Sequence, residues 1–593
     1  MIETTDVHSA KALSALSFAS ETAIGAALRV DTGTVWGLAT DQTMLTHIGI
    51  GSLIAIEGST PAEYLIGSLD RVTRDMTEGI DPDSQDEAGD FALLQTQRDL
   101  FRVSLLGTYR TVDGTKRNTF KRGADSYPRL DASCWAISGS NLQALMSLIS
   151  ADVPVEQRLA IGEFVADRNA TAVADGDRLF QRHAALVGST GSGKSWCVAL
   201  LLEKASELKY PNLIVLDIHG EYSPLAVAGN ENAAIGAGYH IAGPGDIDTP
   251  QSGAIFLPFW LLNQEELLAL VLDRSEDNAP NQAARFTHHV RTLKEKTLTE
   301  MTGKENVLQT FTVDSPISFD IRELVDLLVA DDTGMVASES TGKPVAGPFK
   351  GKLTRFIARL NSKIADRRYA FLFQPPKSLS EYDWLPGFAE SMLSTEVGIK
   401  IIDFSEVPSD ALPVVAGVFS RFLYDVQFWM APSDRTPFTI VCDEAHSYLP
   451  AHNTGVREQR ALDAFERIAK EGRKYGVSLL VVSQRPSDVS RTILSQCNNF
   501  IVLRLTNDQD QHVISRLLPD NVSSFVSTLP MLDVGECVLV GDSMVLPTRI
   551  RLFEPRIKPD SATRRFWSDW NSVPSSSGAI SKAVEAMRKQ ART

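Results

Sequence analysis

Short apolar stretches separated by polar turn residues make up the first part of the chain. Asp31-Thr32-Gly33 and Glu57-Gly58 are examples of these turns. Short strands at such spacing are typical of a small closed β-barrel. We therefore expect an N-terminal barrel domain over residues 1–140, with an acidic, solvated loop at 75–90. The strands are expected at 24–30, 35–39, 51–57, 64–69, 102–109 and 132–137.

The apolar pattern changes after residue 150, where continuous apolar runs replace the short stretches. Strands that are apolar throughout are typical of parallel sheets buried on both faces. Helical periodicity separates these runs, so we predict an α/β core. The strands of this core are expected at 184–187, 212–217, 398–403, 438–444, 477–486 and 499–505.

A long helical block interrupts the core. Asn263-Gln264-Glu265-Glu266 has the signature of a helix N-cap, and apolar residues at helical spacing follow it. A polar linker and a short basic helix end the chain. We therefore divide the rest of the chain into the first part of the core (150–256), a helical insertion (257–397), the second part of the core (398–560) and a C-terminal tail (561–593).

Composition narrows the class of protein. The chain has 593 residues, of which 43% are hydrophobic and 22% charged, as in ordinary soluble proteins. It shows no apolar run of membrane-spanning length and no secretion signal, so we expect a cytoplasmic protein without a membrane anchor. Its five cysteines are scattered, which disfavours disulfides and a zinc site. The net charge of −16 argues against an outer surface coated in nucleic acid, but leaves room for a local basic channel.

The clearest chemical motif is G-x-x-x-x-G-K-S between an apolar strand and a buried helix. This is the phosphate-binding loop, or P-loop. Its backbone amides surround phosphate oxygens, Lys194 reaches the β- and γ-phosphates, and the Ser195 hydroxyl binds Mg²⁺. The motif indicates ATP or GTP binding by Gly188, Ser189, Thr190, Gly191, Ser192, Gly193, Lys194, Ser195 and Trp196.

Two carboxylates end the apolar strand expected at 438–444. Asp443 is expected to hold Mg²⁺ through its second coordination shell, and Glu444 is the expected base that polarises the attacking water. The alternative is an ordinary acidic turn, but a P-loop requires such a partner. Gln484, at the tip of the next buried strand, is expected to sense the γ-phosphate; the alternative is an amide that only stabilises its own turn.

Charge on the transferred phosphoryl group must also be neutralised. Arg182, just before the P-loop strand, and Arg473, after the helix that follows Glu444, are the candidates. Either could act on the nucleotide of a neighbouring subunit. The alternative for both is an arginine at the surface or at a helix C-terminus.

Taken together, these motifs resemble the HerA branch of the HerA–FtsK ATPases over residues 20–560. The resemblance rests on the P-loop, Asp217-Ile218-His219-Gly220-Glu221-Tyr222, Asp443-Glu444-Ala445-His446, Glu471-Gly472-Arg473 and Ser483-Gln484-Arg485-Pro486. It implies a RecA-like core with an N-terminal barrel and a helical insertion. It also implies a homo-hexamer that uses ATP and Mg²⁺ to move along double-stranded DNA, usually beside a partner nuclease or other effector.

A motor on DNA needs cations that face the phosphate backbone. Lys352, Arg355, Arg359 and Lys363 recur at helical spacing in an expected helix at 351–368 and are the DNA-contact candidates. Lys116, Arg117, Lys121 and Arg122 form a second basic group in an expected turn. Solvated surface charge is the alternative for each of them.

Two functions fit this pattern. The first is a DNA translocase that works with a nuclease in DNA end processing or in anti-phage defence. The second is an ATP-gated ring that assembles and activates an effector without processive movement on DNA. In both, a partner nuclease or NAD-consuming effector docks on the N-terminal barrel.

Overall fold

The computed structural model describes residues 14–590 except 41–42, 61–62, 86–90, 112–117, 151–153, 156–157, 166, 230–231, 338–342, 452–455, 519–522, 545, 562–563 and 573–575. The chain forms two compact units. Unit 1 comprises residues 1–200, 484–487 and 497–554, and unit 2 comprises residues 201–483, 488–496 and 555–593.

Most strands are short, and two in the barrel are long. The strands are β1 (Gly25–Val30), β2 (Thr34–Ala39), β3 (Leu53–Glu57), β4 (Glu63–Gln85), β5 (Phe91–Thr111), β6 (Asn118–Arg122), β7 (Ser133–Ala136), β8 (Arg158–Phe164), β9 (Asp167–Asp175), β10 (Ala184–Val187), β11 (Leu213–Asp217), β12 (Ala237–Ile241), β13 (Ala254–Ile255), β14 (Met335–Ala337), β15 (Pro344–Ala346), β16 (Ile399–Asp403), β17 (Phe438–Cys442), β18 (Val477–Ser483), β19 (Asn499–Leu503), β20 (Glu536–Gly541) and β21 (Thr548–Leu552).

The helices concentrate in unit 2. They are α1 (Gly139–Ser150), α2 (Gly176–Gln181), α3 (Lys194–Ser206), α4 (Gln264–Val271), α5 (Ala279–Glu300), α6 (Glu305–Thr310), α7 (Ile321–Thr333), α8 (Thr354–Ala365), α9 (Ala370–Phe373), α10 (Trp384–Leu393), α11 (Leu412–Trp429), α12 (Val456–Glu471), α13 (Arg491–Gln496), α14 (Asp508–Leu517), α15 (Ser523–Val526), α16 (Phe566–Ser572) and α17 (Ser577–Lys589). None of the helices in the described part of the chain is long and apolar enough to cross a membrane.

The N-terminal strands form the closed barrel that the sequence predicts. Their order is β2-β1-β7-β3-β4-β5, and pairing between β2 and β5 closes the ring. Phe101 on β5 fills the interior and is fully buried. A Cβ atom at Gly37, its partner on β2, would lie 2.1 Å from the Phe101 ring, so glycine is required there.

Two predictions about the barrel are wrong. Residues 75–85 are not a loop, because β4 continues to Gln85 and pairs with β5, with Asp75 opposite Arg98. The acidic residues suggested a solvated loop, but the segment is part of a hairpin in which β4 and β5 form backbone hydrogen bonds with each other. Lys121 and Arg122 are not in a turn either, since they end β6, which pairs with β5. Residues 86–90, 116 and 117 lie outside the described residues.

The core strands of unit 1 have the order β10-β19-β20-β21-β8-β9. Strand β10 runs parallel to β19, and the remaining pairs are antiparallel. The sequence analysis did not predict β20 and β21. They extend the sheet with antiparallel strands beyond β19, which lies between them and the P-loop strand β10.

The core strands of unit 2 have the order β13-β12-β16-β11-β17-β18, and every adjacent pair is parallel. Strands β11 and β17 are buried along their whole length, as their continuous apolar runs predict. The chain therefore has the predicted α/β fold of a RecA-like P-loop core with a small barrel and a helical insertion.

The helical insertion begins as predicted. At the start of α4, the Asn263 side chain accepts from the Glu266 amide, and the Glu266 carboxylate accepts from the Asn263 amide, both at 2.8 Å. The helix expected at 351–368 is shorter, because α8 spans only Thr354–Ala365. The exposed hairpin β14–β15 precedes it and was not predicted.

Candidate active site

The P-loop joins β10 to α3 in unit 1 and is held by backbone hydrogen bonds. The Ser189 amide donates to the Arg504 carbonyl at 2.8 Å, and the Ser192 amide donates to the Ser189 carbonyl at 3.1 Å. On the other side of the loop, the Gly535 amide donates to the Ser192 carbonyl at 3.1 Å. These bonds fix the course of the loop against β19 and the start of β20.

Glycine is needed at several positions of the loop. Gly191 and Gly193 have φ of 72° and 105°, which side chains rarely adopt. A Cβ atom at Gly188 would lie 2.5 Å from the Ser192 hydroxyl. Backbone in this conformation turns successive amides toward one side, which makes an anion-binding concavity.

Lys194 and Ser195 lie at the N-terminus of α3, where the helix dipole favours an anion. Lys194 is 9% exposed, and its Nζ donates to the Ser189 carbonyl at 3.4 Å. The lysine therefore folds back over the loop. Ser195 and Trp196 are half-buried in the first turn of the helix. The loop thus combines a cation, a hydroxyl and a helix N-terminus, as phosphate binding requires.

Gln484 contacts the P-loop. The Thr190 hydroxyl donates to Gln484 Oε1 at 2.5 Å, although 294 positions separate the two residues. The contact agrees with the expected location of Gln484 beside the phosphates. Its role as a γ-phosphate sensor stays a prediction.

A cluster of carboxylates lies at one edge of the parallel sheet of unit 2. Asp217 ends β11 and is paired with Asp403, which ends β16. Asp443 follows β17, the other neighbour of β11, and is 4% exposed. Because parallel strands end at the same edge, the three side chains gather there. The sequence marked Asp217 as part of a polar strand end but did not assign it to the site.

The carboxylates of this edge repel one another in a buried environment. Burial raises the pKa of Asp443 well above its ordinary value, and the nearby Glu444, Asp217 and Glu221 raise it further. Burial also raises the pKa of Asp217 to about 6, against hydrogen bonds from the amides of Tyr222 and Glu221 that lower it. A cation would relieve this repulsion.

The described residues contain no group of three or more His, Cys, Asp or Glu side chains arranged to hold a metal ion. Magnesium at nucleotide sites is commonly held by one or two protein ligands together with phosphate oxygens and water. The Asp443 carboxylate and the Ser195 hydroxyl are each oxygen donors of the kind that Mg²⁺ prefers.

Glu444 is held in an unusual conformation. Its φ is 43°, in the left-handed region that residues other than glycine seldom occupy. Its side chain is 13% exposed, and its Oε2 lies 3.2 Å from His446 Nδ1. His446 Nδ1 also lies 3.4 Å from the Ser483 hydroxyl. The sequence analysis gave His446 no role, and no local pattern showed that it would contact the candidate base.

The two arginine candidates differ in their surroundings. Arg182 forms an ion pair with Asp542, and Asn498 donates to the same carboxylate. Arg473 is exposed after α12, and no described residue forms a hydrogen bond or ion pair with its guanidinium. Arg182 is therefore engaged within its own chain, whereas Arg473 is available to another molecule.

The DNA-contact candidates also divide into cations that have partners within the chain and cations that are exposed. Arg359 donates to the Val271 carbonyl at 2.9 Å and pairs with Glu276 at 2.7 Å. Lys363 lies 3.3 Å from Asp410 and 3.7 Å from the centroid of the Tyr369 ring. Lys352, which precedes α8, and Arg355, in its first turn, are exposed.

In the second basic group, both Lys121 and Arg122 already have partners within the chain. Lys121 pairs with Asp125 at 3.0 Å. Arg122 donates to the carbonyls of Gly541 and Met544 at 2.5 and 2.6 Å.

Residues 159–423 match the family model described as "Helicase HerA, central domain". The chain is 25% identical over 400 residues to "Probable helicase MJ1565" of Methanocaldococcus jannaschii, covering 66% of each protein. It is 24% identical over 428 residues to "DNA double-strand break repair helicase HerA" of Pyrococcus furiosus, covering 67% of this chain and 69% of that protein. The match thus spans about two thirds of the length of these relatives. Among solved structures, VirB4 of Thermoanaerobacter pseudethanolicus is 15% identical with a TM-score of 0.45, covering 68% of this chain and 98% of that chain.

Proposed function

We propose that the chain is a P-loop ATPase of the HerA type and that it is a motor that moves along double-stranded DNA. The observation that carries the proposal is the P-loop itself, with Lys194 folded over it and α3 starting behind it. The relatives named as helicases, one of them in double-strand break repair, support DNA as the track.

Each residue of the site has a role in this proposal. The amides of residues 188–196 bind the phosphates, and Lys194 neutralises charge on the β- and γ-phosphates. Asp443 and Ser195 hold Mg²⁺, which supplies further positive charge to the phosphates. Glu444 accepts a proton from the attacking water, and Gln484 contacts the γ-phosphate.

His446 is a positioning residue in this scheme. Its Nδ1 lies 3.2 Å from Glu444 Oε2, which limits the orientations of that carboxylate, and the same nitrogen lies 3.4 Å from the Ser483 hydroxyl. Glu444 also has a left-handed backbone conformation, which is strained for a residue other than glycine. Backbone strain of this kind is found where a catalytic group must be held in place.

We assign the barrel to residues 1–140, the ATPase core to 150–256 and 398–560, the helical insertion to 257–397 and the tail to 561–593. Six copies form a ring, and Arg473 acts on the nucleotide of a neighbouring copy. Its exposure and its lack of a partner among the described residues support this role. A partner nuclease or NAD-consuming effector docks on the barrel, in DNA end processing or anti-phage defence.

The rate of ATP hydrolysis with and without DNA tests the proposal. We expect the wild-type rate to rise on addition of linear double-stranded DNA, and Glu444→Gln to bind ATP but to hydrolyse it at least about 100-fold more slowly. Hydrolysis that is insensitive to DNA would contradict the motor and favour the ATP-gated scaffold. Normal hydrolysis by Glu444→Gln would contradict the assigned base.

A further inference from the structure

One segment of the helical insertion differs in charge from the rest of the molecule. Between Lys343 and Lys363 the chain has six basic residues and no aspartate or glutamate, although the whole chain carries a net charge of −16. The segment comprises β15, the connection after it and most of α8. A local excess of positive charge on an acidic protein is the electrostatic footprint of an anionic partner.

Two of the six cations hold the fold together. The Arg359 guanidinium binds Glu276 and the Val271 carbonyl, and its side chain is 33% exposed. Lys363 pairs with Asp410 and lies over the Tyr369 ring, with its side chain 22% exposed. Both cations are therefore already neutralised by partners within unit 2.

The other four cations face solvent. All are exposed, and none forms a salt bridge with a described carboxylate. Lys350 has only a weak polar contact, with Nζ 3.0 Å from the sulfur of Met335. We call these residues the hairpin surface, because they flank β15 and its exit into α8: Lys343, Lys350, Lys352 and Arg355.

The backbone beneath the hairpin surface is fixed. Asp332, in the last turn of α7, accepts hydrogen bonds from the Leu353 amide at 2.8 Å and the Thr354 hydroxyl at 2.6 Å. Its carbonyl accepts from the Gly351 amide at 2.9 Å. Gln282 on α5 donates to the carbonyl of Lys352 at 3.2 Å. The cations are therefore presented from a fixed base, which lowers the entropic cost of binding.

The chemistry of the hairpin surface points to phosphate rather than to bases. One face of the nearby Phe349 ring is covered by the Arg285 guanidinium, 4.8 Å from the ring centroid, so that face is not open for base stacking. Lysines that reach from a backbone turn contact phosphates without reading sequence. Such contacts suit a protein that must move from one base pair to the next.

We propose that the hairpin surface binds the sugar-phosphate backbone of double-stranded DNA. This inference rests on the proposed function and deepens it, because it assigns the DNA contact to Lys343, Lys350, Lys352 and Arg355. Arg359 and Lys363, which the helical spacing also suggested, have a structural role instead.

The test replaces all four residues of the hairpin surface with alanine in the full chain. Binding to a fluorescent 40-base-pair duplex is measured by anisotropy at several salt concentrations. We expect binding to weaken roughly tenfold or more, and the slope of log K against log salt to fall by about 0.9 for each phosphate that the variant no longer neutralises. ATP hydrolysis without DNA remains at the wild-type rate, whereas its stimulation by DNA decreases.

The matched control neutralises four exposed cations elsewhere in unit 2: Lys209, Arg322, Lys377 and Lys582. Its net charge equals that of the test variant, and we expect the wild-type salt slope. Arg359→Ala is a second comparison, in which we expect a lower melting temperature and an unchanged salt slope.

The outcomes separate the two proposals. If the wild type binds DNA and the hairpin variant binds with the same affinity and salt slope, the assignment of the DNA contact to the hairpin surface is wrong. The proposed motor function is not contradicted by that result. An equal loss in the control variant would also overturn the assignment, because net charge alone would explain it. If wild type does not bind duplex DNA at all, both proposals fail.

Discussion

Glu444 shows how much of the site depends on single residues. Its φ of 43° is costly for a residue with a Cβ atom. The sequence predicted the residue and its role from the strand before it. It could not predict the backbone strain or the contact with His446, because both depend on where the chain turns after β17.

The first prediction concerns Lys194. We expect Lys194→Ala to lower ATP turnover by about 100-fold or more, since it removes a charge aimed at the transferred phosphoryl group. The fold remains, because backbone bonds from Ser189 and Gly535 hold the loop. Turnover and circular dichroism measure the two effects. Lys204→Ala, on the same helix, is the control with normal turnover, and full activity of Lys194→Ala would refute the site.

The second prediction separates the arginines. Arg182→Ala removes the ion pair to Asp542, so we expect a loss of about 1–2 kcal/mol of stability and a lower melting temperature. Arg473→Ala leaves the melting temperature unchanged but lowers ATP turnover. Thermal melts and turnover assays on both variants decide between these roles. Unchanged melting of Arg182→Ala, or normal turnover of Arg473→Ala, would count against the respective assignment.

At the scale of the secondary-structure elements, the candidate site residues lie at the ends of strands. The continuous apolar runs predicted most core strands, because a strand buried on both faces needs apolar side chains at every position. Strands β20 and β21 were not predicted, because short antiparallel strands next to polar turns have only a weak pattern in the local sequence. The β4–β5 hairpin escaped because acidic residues resemble a loop when the partner strand is unknown.

The basic residues of α8 show what helical spacing can and cannot predict. The 3.6-residue repeat correctly predicts that apolar Phe356 and Leu360 share a buried face. It cannot tell which of the intervening cations meet a carboxylate from elsewhere in the fold. Arg359 does so through Glu276, a residue 83 positions away, whereas Arg355 forms no ion pair with a described residue.

The third prediction tests the repulsion among the carboxylates at this sheet edge. The pKa of Asp217 is about 6 in the fold and 3.8 ordinarily, so the folded state holds a proton that the unfolded state has lost. Stability therefore falls as pH rises from about 4 to about 6, and at pH 7 the cost is about 3 kcal/mol. The negative charge of Asp403 is one of the causes of the raised pKa of Asp217.

Asp403→Asn removes that charge and keeps an oxygen to accept from the Ser405 amide. Without Mg²⁺ or nucleotide, we expect a gain on the order of 1 kcal/mol at pH 7.5 and almost none at pH 4.5, where folded Asp217 is neutral. Melting temperatures at both pH values measure it. Asp326→Asn, at an exposed site on α7, is the control. An equal shift at both pH values would contradict the electrostatic cause.

At the scale of the whole molecule, one acidic chain contains an ATPase core, a barrel and a basic hairpin. The sequence predicted the class of enzyme because P-loop chemistry allows few substitutions. The division into domains, the six-membered ring and the docking partner stay predictions. The ring and the docking partner depend on surfaces between molecules, which a local pattern within one chain does not show.

Movement along duplex DNA is the central claim, and displacement of a third strand from a triplex measures it most directly. We predict that the wild type releases the third strand from a duplex only with ATP and Mg²⁺, after a delay that grows with the distance from the duplex end. Glu444→Gln is expected to release none. Duplex-stimulated hydrolysis by the wild type without any release of the third strand would contradict the account.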